Sequence, residues 1–346
     1  MVVKSDELKT KLNLLGLAVA KEATASYKYK VIIFSSTGTD LYAYTYDGIN
    51  NIKMFIGQVN SDVFAIIDYV TFTSFIKSCE GDITLDFKES FVHIKTATSK
   101  CKLSLINTVT SDKNSIVDPT CSHPFNNDFT KDIPISILKS ILDTNHVVES
   151  YQKVCFNDCI MVTDTNNVII VNDRIFSKDI LLNYSSIELL KSIHNIKYTF
   201  IKNKTPKMYI TSDELDASIE VDLNEDNEFQ YDDLKDLFDT INGPSVDINS
   251  KVLSKAMATS QLFKIDPIIE FNSNGIFLKI ATVDFEYKIS DAVCNDRSFI
   301  LKPDVVKKII MIGDTVKIYY NNSDLIKCES GNISEILSIE EIKNES

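Results

Sequence analysis

One pattern occurs three times along these 346 residues. A chain that repeats a domain-sized unit is constrained to build a repetitive, quasi-symmetric object. In each copy a short apolar run leads into a brief helical stretch carrying lysine, and a second apolar run follows. The first copy is Phe64–Ile67, then Tyr69–Cys79 with Lys77, then Ile83–Phe87. The second is Ile180–Leu182, then Ser185–His194 with Lys191, then Tyr198–Phe200. The third is Phe299–Leu301, then Pro303–Met311 with Lys307 and Lys308, then Val316–Tyr320. Lys77, Lys191 and Lys307 lie 114 and 116 residues apart (191 − 77 and 307 − 191).

A second marker gives nearly the same period. Each copy carries a strand hairpin: Val31–Phe34 with Asp40–Tyr46, Lys153–Phe156 with Cys159–Thr163, and Pro267–Phe271 with Ile276–Thr282. The third turns at Asn274-Gly275, a strong hairpin signal between alternating apolar runs. Each second strand ends in Thr and Asp: Thr45 and Asp47, Thr163 and Asp164, Thr282 and Asp284. The aspartates are 117 and 120 residues apart (164 − 47 and 284 − 164). Such residues read as turn formers that bond nearby backbone rather than as catalytic groups.

Ahead of each hairpin the apolar spacing predicts a longer amphipathic helix. Leu8, Leu12, Leu15 and Val19 make one stripe; Ile137, Leu138, Ile141 and Leu142 another, with Lys139 and Asp143 opposite. Val252, Ala256, Met257 and Phe263 face inward in the third, with Lys251 and Lys255 elsewhere. Two helices on one face of a strand-rich layer make an α+β module. Polar stretches at 111–132 and 224–244 separate the modules, which are expected to span 1–117, 118–238 and 239–346.

The bulk numbers narrow the class. A hydrophobic content of 44% supports real cores, yet no run is long enough to span a membrane. The acidic start Ser5-Asp6-Glu7 lacks a signal-peptide profile, which predicts a cytoplasmic protein. Seven scattered cysteines argue for free thiols rather than a disulfide framework. Cys155 and Cys159 flank Asn157-Asp158 without further metal ligands nearby. There is no glycine between Gly81 and Gly243, which removes phosphate-binding loops from the middle of the chain. His93, His123, His146 and His194 have neither metal-ligand spacing nor a nucleophile motif. The reading is therefore of a protein that is not an enzyme and needs no cofactor or metal. A net charge of −13 by itself argues against a general nucleic-acid binder, provided the charge is evenly spread.

Position, order and period together resemble the bacterial-type β sliding clamp, the processivity factor of replicative DNA polymerases. Ile160-Met161-Val162-Thr163-Asp164 is similar to the clamp segment ending Thr-Asp-Gly-His-Arg-Leu, and Tyr44-Thr45-Tyr46-Asp47-Gly48 to the corresponding turn in the first module. The resemblance covers essentially the whole chain. It implies a homodimer closed head to tail into a six-domain ring, with helices lining a hole through which duplex DNA passes. The lysines on those helices, Lys9, Lys77, Lys139, Lys191, Lys251, Lys255, Lys307 and Lys308, are then expected to line the channel. Acidic residues such as Glu225-Asp226, Asp232-Asp233 and Glu340-Glu341 fall on the connectors and the C-terminus, so a basic lining inside an acidic shell reconciles the net charge with DNA.

The family also implies docking of short peptides from polymerase and clamp loader between the second and third modules. The matching positions are Tyr151, Thr163, Asn167, Val168, Leu234, Leu337 and Ile339. Thr165-Asn166-Asn167-Val168 stands where the family has Gly-His-Arg-Leu, and the C-terminal Ile339–Ser346 differs from the family's short end. Partner choice is expected to differ accordingly, as in a bacteriophage clamp or a divergent cellular one. Two other classes stay open at this point: a processivity subunit that forms no ring, and a repeat-built scaffold without a DNA role.

Overall fold

A computed structural model describes residues 1–21, 25–106, 118–129, 133–142, 149–164, 166–264, 267–292, 297–300, 302–320 and 324–341. The expected α+β repeat is present, with a finer grain than the sequence suggested. The first module runs β1 (Val2–Lys4), α1 (Ser5–Leu15), β2 (Val31–Thr37), β3 (Asp40–Tyr46), β4 (Asn50–Gln58), β5 (Phe64–Asp68), α2 (Tyr69–Lys77), β6 (Asp82–Phe87), β7 (Phe91–Lys95) and β8 (Lys100–Ser104). It is two βαβββ halves in tandem.

The second module repeats this with β9 (Asn127–Phe129), α3 (Ile135–Ile141), β10 (Lys153–Phe156), β11 (Ile160–Thr163), β12 (Val168–Val171), β13 (Ile180–Asn183), α4 (Tyr184–Ser192), β14 (Ile196–Ile201), β15 (Lys207–Thr211) and β16 (Leu215–Glu220). After α5 (Tyr231–Thr240) the third follows: β17 (Ser245–Asn249), α6 (Ser250–Ser260), β18 (Ile268–Asn272), β19 (Gly275–Ile280), β20 (Phe285–Ser290), β21 (Arg297–Ile300), α7 (Pro303–Ile312), β22 (Thr315–Tyr320), β23 (Leu325–Ser330) and β24 (Ile333–Ser338). A short β25 (Glu340–Glu341) pairs with β21.

Within each module the first strand of each half crosses to the sheet of the other half. Thus β1 pairs β6 and β5 pairs β2, all antiparallel. This exchange ties the halves together by backbone hydrogen bonds. The last strands of the halves make the joints between modules: β4 pairs β16, and β12 pairs β24.

The chain accordingly divides into two compact units that do not coincide with the modules. One holds Met1–Ile133 with Ser185–Asp222; the other holds Pro134–Tyr184 with Leu223–Ser346. The first unit contains an eight-stranded sheet ordered β5-β2-β3-β4-β16-β15-β14-β9 and a four-stranded sheet β1-β6-β7-β8. The second contains β13-β10-β11-β12-β24-β23-β22-β17 and β20-β19-β18-β21-β25.

The helices form where local chemistry permits. Asp6 and Glu7 sit at the positive end of the α1 dipole, and Leu8, Leu12 and Leu15 bury one stripe. Each such leucine contributes about 2 kcal/mol by leaving water. The Asp68 carboxylate caps α2 by accepting from Thr71 N at 2.8 Å, and the Asn249 side chain caps α6. In the first unit α1 packs on α2; in the second, α7 packs on both α6 and α3.

Several expectations change. Val19 lies beyond α1, because the chain tightens into a 3₁₀ turn at Gly16–Ala18. The second long helix is only Ile135–Ile141. Phe263, expected inward, leaves α6 in a 3₁₀ turn and is 38% exposed. The stretch 224–244, expected as a polar connector, contains α5. Asp143 and the first module boundary at 117 fall outside the described residues.

Candidate functional site

The eight expected lysines divide by what their ammonium groups meet. In the first unit Lys77 ends α2 and Lys191 lies in the last turn of α4, both exposed and without a bonding partner among the described residues. Cations at helix C-termini are favoured by the dipole yet stay free to meet phosphate. Lys9 is different. Its Nζ donates to the Cys79 carbonyl at 2.6 Å, just past the end of α2, and its side chain is 27% exposed. It fastens α1 to α2.

In the second unit Lys255 is exposed and unpaired among the described residues. Lys251 lies 3.7 Å from Asp314, and Lys307 3.3 Å from Asp304. All four side chains are largely exposed, so these pairs are weak and easily exchanged for phosphate. Exposed Lys139 lies 5.0 Å from the centre of the Tyr184 ring. Lys308 is turned inward: 18% exposed, with Nζ 3.8 Å from Asp164 Oδ2.

The groove residues also divide. Val168 belongs to a buried cluster with Cys155, Met161, Phe229, Tyr231 and Ile336, and Tyr151 and Leu234 pack against its edge. The Tyr151 ring stands edge-on to Phe229 at 5.5 Å. Thr163, paired with Val168 in the β11–β12 ladder, donates from Oγ1 to Asn167 O at 2.9 Å. Asn167 Oδ1 in turn accepts from Ser338 N on β24 at 3.4 Å. Five of the seven expected residues thus surround one apolar floor.

Leu337 and Ile339 do not join them. Side chains alternate along a strand, so Ile336 faces the cluster while Leu337 points to the opposite face, beside its partner Ile326. Leu337 is fully buried there. Ile339 packs with Leu253, Phe271, Phe299, Ile309 and Ile326 inside the third module. On the groove face β24 presents Ile336 and Ser338 instead, a displacement of one residue that moves every side chain to the other side.

The aspartates at the first two hairpin ends are turn formers, as expected. Asp47 Oδ1 accepts from Ile49 N at 2.8 Å and Asn50 N at 2.7 Å. Asp164 Oδ1 accepts from Asn166 N at 3.0 Å and Asn167 N at 2.7 Å. The cysteines at 155 and 159 do not oppose each other across the hairpin: Cys155 pairs with Met161, and Cys159 Sγ meets the Tyr231 hydroxyl at 3.2 Å. Burial pushes the Cys159 thiol up from its ordinary range, which keeps it neutral and unreactive. Among the described residues no cluster of His, Cys, Asp or Glu is placed to hold a metal, and no helix is long and apolar enough to cross a membrane.

No family model and no curated protein matches this sequence. Solved structures do. The Helicobacter pylori beta clamp bound to a DNA ligase peptide aligns with a TM-score of 0.74 at 11% identity, over 98% of this chain and 99% of that one. A putative DNA polymerase III beta subunit from Eubacterium rectale gives 0.74 at 12%, over 98% of both. The DNA polymerase III beta chain of Streptococcus pneumoniae gives 0.73 at 10%, over 99% of both. This chain has the beta-clamp fold.

Two parts of this clamp fold escaped the sequence reading. One is α5, whose Tyr231, Leu234 and Phe238, with Ile241 just past its end, follow helical spacing and cover the apolar floor. The abundance of Asp around them concealed the stripe. The other is Glu335, an acid that follows Ser334 in β24 and is buried to 0% exposure, which its polar sequence neighbour gave no reason to expect.

Proposed function

We propose that this protein is a DNA sliding clamp, in which two copies close head to tail around duplex DNA and hold a polymerase to its template. The observation that carries this reading is the state of the module joints. Strands of the β4 class pair with strands of the β8 class: β4 with β16, and β12 with β24. Among the described residues one member of each class ends its sheet unpaired, β20 in the second unit and β8 in the first. Applying the same rule across two chains pairs β20 of one copy with β8 of the other. An unpaired edge strand is otherwise a liability.

DNA retention then needs no tight contact. Lys77, Lys139, Lys191, Lys251, Lys255 and Lys307 supply sequence-independent, salt-sensitive attraction to phosphate, and topology prevents escape. Lys9 and Lys308, held in internal bonds, fall outside this set. The H. pylori clamp is described with a DNA ligase peptide; the half-buried Tyr151 and Leu234, at the edge of the buried cluster that holds Val168, Met161 and Ile336, are the corresponding place here for apolar peptide anchors. This is a binding role, with no catalytic step assigned.

The test is topological. Loaded onto nicked circular DNA, the protein is expected to stay bound through gel filtration in high salt and to leave once the circle is cut. Retention unaffected by cutting, or no retention on circles, would sink the ring. Charge reversal at Lys77, Lys191 and Lys255 together is expected to reduce loading while leaving the melting temperature in place.

A further inference from the structure

Glu335 is the least comfortable residue in the second unit. It lies on β24 between Ile169 of β12 and Cys328 of β23, at 0% exposure, and neither carboxyl oxygen has a hydrogen-bond partner. An isolated ionised carboxylate in such a place costs several kcal/mol. The same position in the first unit is apolar. The turns align through Asp164 N bonding Asn167 O and Asp47 N bonding Asn50 O, so the pair Ile169 and Glu335 corresponds to Ile52 and Ala217. Fold geometry therefore does not demand an acid there.

The two joints also differ in how the following helix is fastened to the aspartate turn. In the first unit the link is neutral: Asn50 Nδ2 donates to Asp47 Oδ2 at 2.9 Å and to Ser185 Oγ at 3.1 Å, and Ser186 Oγ donates to Asn50 Oδ1 at 2.7 Å. In the second unit Lys308 of α7 reaches Asp164 at 3.8 Å, and its charge also acts on Glu335. Lys308 thus pairs with Asp164 while its charge also reaches the buried Glu335 carboxyl without a direct bond.

We propose that Glu335, Lys308 and Asp164 form a proton-controlled latch that fastens α7 to the β11–β12 turn and so regulates the shape of the groove rim. Its role in docking rests on the groove reading above; the latch itself does not. With a solvent proton on Glu335, Lys308 is the undivided partner of Asp164. The Asp164 carboxylate then holds the Asn166 and Asn167 amides, and Asn167 holds Ser338. When that proton leaves, a second carboxylate competes for Lys308, and the hold on the turn weakens. Among the described residues, the elements packed around Glu335 contribute Ile169 from β12 and, from β23, the buried Cys328 thiol, raised well above its ordinary range and so neutral, while Lys139 on α3 is exposed.

Burial, reinforced by Asp164 and opposed by Lys308, pushes Glu335 up from 4.5 to about 8. The folded state therefore binds this proton more tightly than the unfolded chain does. Its contribution is complete below the ordinary carboxylate range and is lost as pH rises through about 8.

The experiment is amide hydrogen exchange with ¹³C NMR of the Glu335 carboxyl, on the full chain without peptide or DNA. Protection at Asn166, Asn167 and Ser338, corrected for intrinsic base catalysis, is expected to fall about tenfold between about pH 7 and about pH 9. In Glu335→Gln that fall disappears, and in Glu335→Ala, which copies the Ala217 site, it disappears as well. A wild-type carboxyl titrating in the ordinary range, or the same fall in both variants, overturns the latch. Because no peptide is present, failure of the groove reading leaves this result untouched.

Discussion

At the scale of single residues, lysines alike in sequence do different work. Lys9 donates a charge-assisted bond to a carbonyl 70 residues away, whereas Lys77 and Lys191 meet only solvent among the described residues. The difference predicts separable phenotypes. Lys9→Met is expected to lower stability by about 1–2 kcal/mol, since a hydrogen bond to a charged group is lost and the carbonyl loses its partner. Lys77→Ala and Lys191→Ala should stay within about 0.5 kcal/mol of wild type in urea unfolding. Their effect appears instead in DNA binding, where each lost phosphate contact reduces the salt slope by about 1. If Lys77→Ala destabilised the chain and left the slope unchanged, its assignment to the DNA-facing set would be wrong. Sequence spacing placed these lysines on the right helices. It could not show which ammonium finds the Cys79 carbonyl or Asp164, because those partners arrive through tertiary packing.

At the scale of elements, one-residue register decides what the last long strand offers. Along Ile333–Ile339 the apolar Ile336 and Leu337 are neighbours and both are buried, because both faces of β24 are covered. Adjacent apolar residues of this kind do not show from sequence alone which of them faces which side. The structure predicts that they fail differently. Leu337→Ala opens a cavity in the core beside Ile326 and is expected to cost about 2–5 kcal/mol. Leu234→Arg, on the half-buried outer rim, is expected to leave the unfolding midpoint nearly unchanged while reducing peptide affinity about tenfold or more. Calorimetric titration with a partner peptide, beside urea melts, separates the two; equal affinity in Leu234→Arg and wild type would move docking elsewhere. The strands β1, β9 and β17 were illegible for another reason. Each is only three to five residues long and gains its place by pairing with a strand from the far half of its module. The hairpins and the second helices were legible because their signals are local: alternation, turn residues and apolar spacing within about ten residues.

At the scale of the whole molecule, the net charge of −13 is unevenly distributed. Between Leu223 and Thr240 stand seven acidic residues and one lysine, and α5 turns its Asp residues to solvent. Under the proposed clamp reading, exposed acidic residues such as these repel DNA and leave the lysine-bearing helices to attract it. That reading also requires closure between copies, and the open edge of the second unit carries exposed apolar side chains that would serve it. Leu262 is 78% exposed and Val283 45%, and Phe263 meets Phe285 of β20 at 5.4 Å between ring centres. The open edge of the first unit, β8, carries exposed Lys100 and Lys102, with Lys102 over the Phe91 ring at 3.9 Å. Exposed apolar side chains beside an unpaired edge are costly in a lone chain and useful at a joint. The wild-type protein is therefore expected to sediment at micromolar concentration with twice the chain mass. Leu262→Asp with Val283→Asp alters only exposed positions, so the monomer should keep its circular dichroism and unfolding midpoint. Two charges placed in a desolvated joint should nevertheless shift the sedimentation to a single chain. They should also abolish retention on circular DNA while leaving weak, salt-sensitive binding to linear DNA intact. A wild type that remains monomeric at every concentration, or a double variant that still dimerises, would place the joint elsewhere and would favour a processivity subunit that binds DNA without encircling it.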